Sequence, residues 1–83
     1  MILGKLSRIP MKDNRETPYA FIKGEDNNEY FLHKTDLFDN WDELKELIKS
    51  LGEVTVEFEP TRGEKGGRAV GARIVNKNHK TKR

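Results

Sequence analysis

Two short runs, Tyr19-Ala20-Phe21-Ile22 and Tyr30-Phe31-Leu32-His33, are rich in strand-forming residues and flank the polar cluster Gly24-Glu25-Asp26-Asn27-Asn28. The spacing predicts an antiparallel hairpin that pairs Tyr19–Lys23 with Tyr30–His33. This hairpin constrains the chain more than any other feature, because both runs are apolar on both faces. Alternate side chains of a strand point to opposite sides. If Ala20, Ile22, Tyr30 and Leu32 turn inward, then Tyr19, Phe21, Lys23, Phe31 and His33 turn out. The opposite parity buries Phe21 and exposes Ile22 or Leu32. Either way apolar groups stay on the second face, although a small domain needs only one buried face.

Apolar side chains are scarce elsewhere, which makes their placement informative. The chain has 83 residues, enough for one domain with one modest core, and is 34% hydrophobic against 36% charged. It has no cysteine, which excludes disulfides, thiolate nucleophiles and thiolate metal sites and fits a reducing cytoplasm. The opening Met1-Ile2-Leu3-Gly4-Lys5 has no long apolar stretch, so neither a signal peptide nor a membrane span is expected. The net charge of +2 conceals an asymmetry: residues 1–24 carry +3, residues 25–59 carry −8 and residues 60–83 carry +7. Two basic ends around an acidic middle make one face positive if the terminal strands lie side by side.

The remaining elements follow from period and punctuation. Leu3–Ile9 alternates as a first strand that Pro10 ends, and Met11–Thr17 reads as a polar connection without a regular period. Asn40 stands at capping position with Glu43 three residues on, and Trp41, Leu44, Leu47, Ile48 and Leu51 recur at helical spacing before Gly52. Such a helix, of about eleven residues, is marginal alone in water and must dock its apolar stripe, with Trp41 expected in the core. Val54–Phe58 alternates as a strand that Pro60 is expected to end, residues 61–67 read as a loop, and Ala69–Val75 as the fifth strand. A basic, disordered tail is expected over residues 76–83, leaving 1–75 as the domain. Five strands with one short helix between the third and fourth fit an all-β, Greek-key barrel of the OB type, with an open sheet and packed helix as the alternative.

An outward platform of rings near Lys5, Arg8, Lys23 and Lys34 suits single-stranded RNA or DNA, since bases stack on aromatic faces while cations follow the phosphates. Duplex DNA hides its base faces and suits such a surface badly. The chain resembles a cold-shock domain, the nucleic-acid-binding branch of the OB fold. Thr17-Pro18-Tyr19-Ala20-Phe21-Ile22 is similar to that family's first ribonucleoprotein motif, K-G-F-G-F-I, and Tyr30-Phe31-Leu32-His33 to its second, V-F-V-H. Gly4-Lys5-Leu6 is similar to its G-x-V start, and Leu51–Phe58 to its fourth strand, so the resemblance covers about residues 3–75.

The resemblance implies that Tyr19, Phe21, Phe31 and His33 stack on bases, which selects the first of the two parities. It implies basic groups at Lys5 and Lys23 and a further stacking ring in the loop at Phe38. The chain departs from the family where Arg8 and Lys34 replace aromatics, where Met11–Glu16 lengthens a loop, and where the helix replaces a shorter connection. Arg8 can itself stack on a base. The implied role is RNA chaperoning, or the tuning of transcription and translation, by keeping strands unpaired.

Catalysis and cofactors are not expected. Two histidines and no cysteine offer no nucleophile, base and orienting group at telling spacing. Asp36, Asp39 and Asp42 recur every three residues across a helix start, where acidic side chains favour the helix dipole, so no metal site is expected. Gly63-Glu64-Lys65-Gly66-Gly67 lacks the G-K-[ST] of a phosphate loop. The competing expectation is a barrel that has become a protein-interaction module, its acidic helix residues Asp42, Glu43 and Glu46 suited to a basic protein partner.

Overall fold

Alternation of glycine and leucine with exposed residues makes β1 (Ile2–Leu6), a strand whose inward positions are Gly4 and Leu6. The computed structural model describes residues 1–63 and 66–75, so the expected tail and part of the expected 61–67 loop lie outside the described residues. β1 stops three residues short of Ile9, because its longer ladder, with the strand that begins at Val54, ends at the Leu6–Val54 pair. Ile9 leaves the sheet but still packs, half-buried, against the core.

The connection expected to be irregular contains a small ribbon, β2 (Met11–Lys12) and β3 (Arg15–Glu16). Asp13 and Asn14 between them hold φ of 54° and 66°. A two-residue turn that matches strand twist needs left-handed backbone at both centres, and Asp and Asn are the side chains that tolerate it. Buried Thr17 ties the base of this ribbon down: its N–H donates to the Pro10 carbonyl at 3.0 Å and its hydroxyl to the Tyr19 carbonyl at 2.9 Å.

The hairpin forms as expected. β4 (Tyr19–Gly24) and β5 (Glu29–His33) pair antiparallel, with Tyr19 opposite His33 and Phe21 opposite Phe31. Asn27 at φ 74° and the Gly24 N–H donating to the Asn28 carbonyl at 2.8 Å make the reversal. Tyr30 turns its ring inward, edge-on to Phe58 with centroids 5.0 Å apart, and its hydroxyl reaches back to the Asp26 carboxylate at 2.5 Å. That bond holds the Asp26 pKa below its ordinary value and the Tyr30 pKa above its own.

A single 3-10 turn at Lys34–Asp36 leads to α1 (Trp41–Leu51), which starts and stops where its sequence signals stand. The Asn40 side chain accepts from the Asp42 and Glu43 amides at 2.7 and 3.3 Å, and Gly52 ends the helix at φ 80°. Leu44 and Leu47 enter the core. β6 (Val54–Gly63) and β7 (Gly66–Ile74) then form a long hairpin. Pro60 does not end β6. Past Phe58 the strand no longer pairs with β1, so β7 is its one neighbour and a residue without an N–H is tolerated there. Between Glu57 and Glu59 the register shifts by one extra residue in β7, where Gly71 adopts φ 60°. Such a bulge bends the strand and increases its twist, as closure of a small barrel requires.

The strands close in the order β1-β4-β5-β7-β6, with β5 and β7 parallel and Phe31 opposite Arg68. This is an all-β, five-stranded barrel of the OB type with one short helix between its third and fourth barrel strands. Its interior is filled by Ile22, Leu32, Leu44, Val54, Val56 and Phe58, with Ala20, Ala69 and Ala72 where space is short.

Two predictions follow from the interior. A Cβ on Gly4 would collide with Ile22 Cγ2 and lie 2.9 Å from Phe58 Cε1 and 3.0 Å from the Lys23 carbonyl. Gly4→Ala is therefore expected to cost about 1–3 kcal/mol in urea denaturation, as overpacking does. The raised Tyr30 pKa means that its contribution is present below the ordinary tyrosine value of 10.0 and is lost as pH rises through the higher folded value. Thermal melts across that range should show a steeper alkaline fall for the wild type than for Tyr30→Phe; parallel curves would show that the bond to Asp26 carries no stability.

Candidate nucleic-acid interface

Burial along β4 and β5 settles the parity of the hairpin. Ala20, Ile22, Tyr30 and Leu32 are buried, whereas Tyr19, Phe21, Lys23, Phe31 and His33 lie on the outer face. The register then gathers four rings into one patch. The Tyr19 and Phe31 centroids are 5.3 Å apart with planes tilted by 34°, Phe21 meets Tyr19 and Phe31 edge-on at 5.9 Å each, and His33 lies 6.5 Å from Phe31. Edge-on contacts let each ring keep part of its face free. Phe21 retains 45% of its surface. The His33 Nδ1 accepts from the Thr35 amide at 3.2 Å, which anchors the ring and leaves Nε2 to carry the proton of the neutral form.

The cations expected around the patch divide into placed and unplaced. Lys5 and Lys23 are register partners on the outer face of β1 and β4, with Lys5 only loosely paired to Glu53 at 3.8 Å. Arg8 lies past the end of β1, exposed and outside the ladder, so the sheet does not aim it at the rings. Lys34 begins the 3-10 turn and lines a cleft beside α1. Phe38 is 73% exposed and stands apart from the patch, over Gly71, its amide donating to the Ala72 carbonyl at 2.8 Å. None of the ring contacts among the described residues includes it.

Arg68 is the neighbour that the sequence reading missed. It is the register partner of Phe31 across the parallel β5–β7 junction, on the exposed side of β7, and Asp36 holds its guanidinium through Nη2 at 2.8 Å and Nε at 3.3 Å. With residues 61–67 read as loop and a strand from Ala69, Arg68 fell on a boundary. Alternation against Ala69, which is buried, turns the Arg68 side chain outward, and closure of the barrel puts it beside Phe31. Trp41 also differs from expectation. It packs against the core from its edge, half-buried, and lines the cleft that Lys34 shares.

The three regularly spaced aspartates serve separate local partners. Asp36 binds Arg68, Asp39 accepts from the Ile74 amide at 2.7 Å, and Asp42 lies 3.4 Å from Lys45. No helix among the described residues is long and apolar enough to cross a membrane. No protein-family model and no curated protein matches the chain, so this surface is read from its own geometry.

The rings of the patch are not structural in the sense that Phe58 is. Phe58→Ala, at full burial, is expected to cost about 3–5 kcal/mol. Phe21→Ala should cost about 1–2 kcal/mol, the loss of two edge-on ring contacts at a half-exposed site. Comparable losses for both variants in chemical denaturation would place Phe21 in the core and remove it from the site.

Proposed function

We propose that the protein is a divergent cold-shock-type OB domain that binds single-stranded RNA or DNA by stacking bases on Tyr19, Phe21, Phe31 and His33. The observation that carries this reading is the contiguity of four outward rings on a barrel whose interior is already filled by other side chains. Monomeric surfaces seldom keep such a patch without a use. Lys5 and Lys23 on one flank and Arg68 on the other support the reading as cations for the phosphates, with Arg8 as a further cation and Phe38 as a further ring outside the patch. Stacking supplies about 1–3 kcal/mol per base and tolerates any sequence, because every base has a π-face.

The protein then acts in the cytoplasm by binding alone, without a cofactor or a catalytic step. Binding energy for the open strand competes with base pairing, so hairpins melt without fuel. That is the work of an RNA chaperone, and of a protein that tunes transcription or translation. The rival reading, a protein-interaction module, draws on the exposed acidic side chains Asp42, Glu43 and Glu46 of α1.

Fluorescence anisotropy of a labelled, pyrimidine-rich single strand, titrated at several salt concentrations and repeated with a duplex, tests the proposal. The single strand should bind at micromolar concentration or below, the duplex weakly, and the salt slope should be shallow because few phosphates are engaged. Phe21→Ala and Phe31→Ala should each weaken binding about fivefold or more, the equivalent of one lost stacking contact. Absence of binding at low salt, with one stoichiometric protein recovered in a nuclease-resistant pull-down, would favour the rival.

A further inference from the structure

The Tyr19–His33 end of the ring patch opens onto a cleft of about 540 Å³ between the start of β4, the 3-10 turn and α1. Its position follows from the hairpin ladder. Pro18 and Lys34 adjoin Tyr19 and His33, the last register partners of β4 and β5, and both line the cleft. The Lys34 amide donates to the Pro18 carbonyl at 2.8 Å, so the two surfaces meet without a break in the backbone network. The α1 side of the cleft presents Trp41, half-buried, and Lys45. Lys45 is held by Glu16 at 2.9 Å and Asp42 at 3.4 Å; Glu16 first, then Asp42, raises its pKa above the ordinary lysine value and keeps it cationic. The helix terminus is not the attraction here, since Asn40 already occupies its Asp42 and Glu43 amides.

Resting on the ring-patch reading, we infer that this cleft is a further nucleotide subsite for the same single strand. A strand leaving the patch past Tyr19 and His33 lays its next base against Trp41 and brings the following phosphate to Lys34 and Lys45. Glu16 is the resident anion that the phosphate displaces. It sits exposed at the end of a two-residue strand, so its exchange uncovers no core. The cleft holds an aromatic surface and two cations beside the carboxylates of Glu16 and Asp42. Asp42 is 83% exposed and can turn to solvent, so exchange of Glu16 leaves the ring and cations that single-stranded nucleic acid requires. Neither an acidic peptide nor a duplex has bases free to meet the indole.

Trp41 is the sole tryptophan, so its emission reports the cleft directly. The full chain is titrated with labelled polypyrimidine oligonucleotides of about four and about eight nucleotides, lengths within the range one OB barrel covers. Label anisotropy and tryptophan emission are followed together. The longer strand is expected to bind about fivefold or more tighter and to quench Trp41, the shorter one to leave the emission unchanged. Lys34→Ala should lower the ratio of the two affinities and Glu16→Gln should raise it. Trp41→Leu should abolish the length advantage; should that variant lose its fold in circular dichroism, the exposed Lys34 and Glu16 variants still decide. Equal affinities with unquenched Trp41, while Phe31→Ala weakens both oligonucleotides, overturn the cleft and leave the ring patch standing. No binding at either length overturns the ring patch, and the cleft with it.

Discussion

Within a five-stranded barrel there is room for one face of each strand, and the register of β4 against β5 decides which side chains claim it. Ala20, Ile22, Tyr30 and Leu32 fill the interior, so Phe21 and Phe31 meet as partners on the outside. A slip of one residue would turn a strand over and force Phe21 with Lys23, or Phe31 with His33, into a core sized for Ala20, Ile22 and Leu32. The turn at Gly24–Asn28 and the Tyr30 hydroxyl bonded to Asp26 hold the register at one end. At the other, Thr17 bonds to Pro10 and Tyr19, and the Lys34 amide to Pro18. The ring patch depends on all of these while touching few of them.

Charge is distributed by the same closure. Several members of the acidic middle take separate partners: Asp26 on Tyr30, Asp36 on Arg68, Asp39 on the Ile74 amide and Glu53 near Lys5. Cations on the strands that carry and flank the rings come from the two basic thirds, Lys5 and Lys23 from the first and Arg68 from the last. Sequence separation hides this arrangement, since Phe31 and Arg68 become neighbours only when β5 and β7 pair. Asp36 restrains the Arg68 guanidinium, which lowers the ordering cost of any further contact that the arginine makes.

α1 serves packing and surface together. Leu44 and Leu47 are buried with Val54 and Val56, as the amphipathic spacing demands. Trp41, on the same stripe but in the first turn, is only half-buried against the core. Periodicity identifies the side of a helix that docks, but it does not tell how far the docked surface extends along the axis. A core assignment for Trp41 and an edge position therefore share one sequence signal.

Local chemistry written in the sequence determined the aromatic hairpin, the helix between its asparagine cap and its terminal glycine, and the order of elements that leads to this barrel. These features depend on neighbours a few residues apart: strand alternation, turn residues and capping groups. The Asp13-Asn14 ribbon was equally local, and its signal lay in two residues that tolerate left-handed backbone. Only the tertiary structure decided that β6 runs through Pro60, that Arg8 and Phe38 stand off the patch, and that Arg68 stands at its edge. Each of these depends on which strands become neighbours after closure. A proline is tolerated where one side of a strand is free, and a cation flanks a ring only if two distant segments share a ladder.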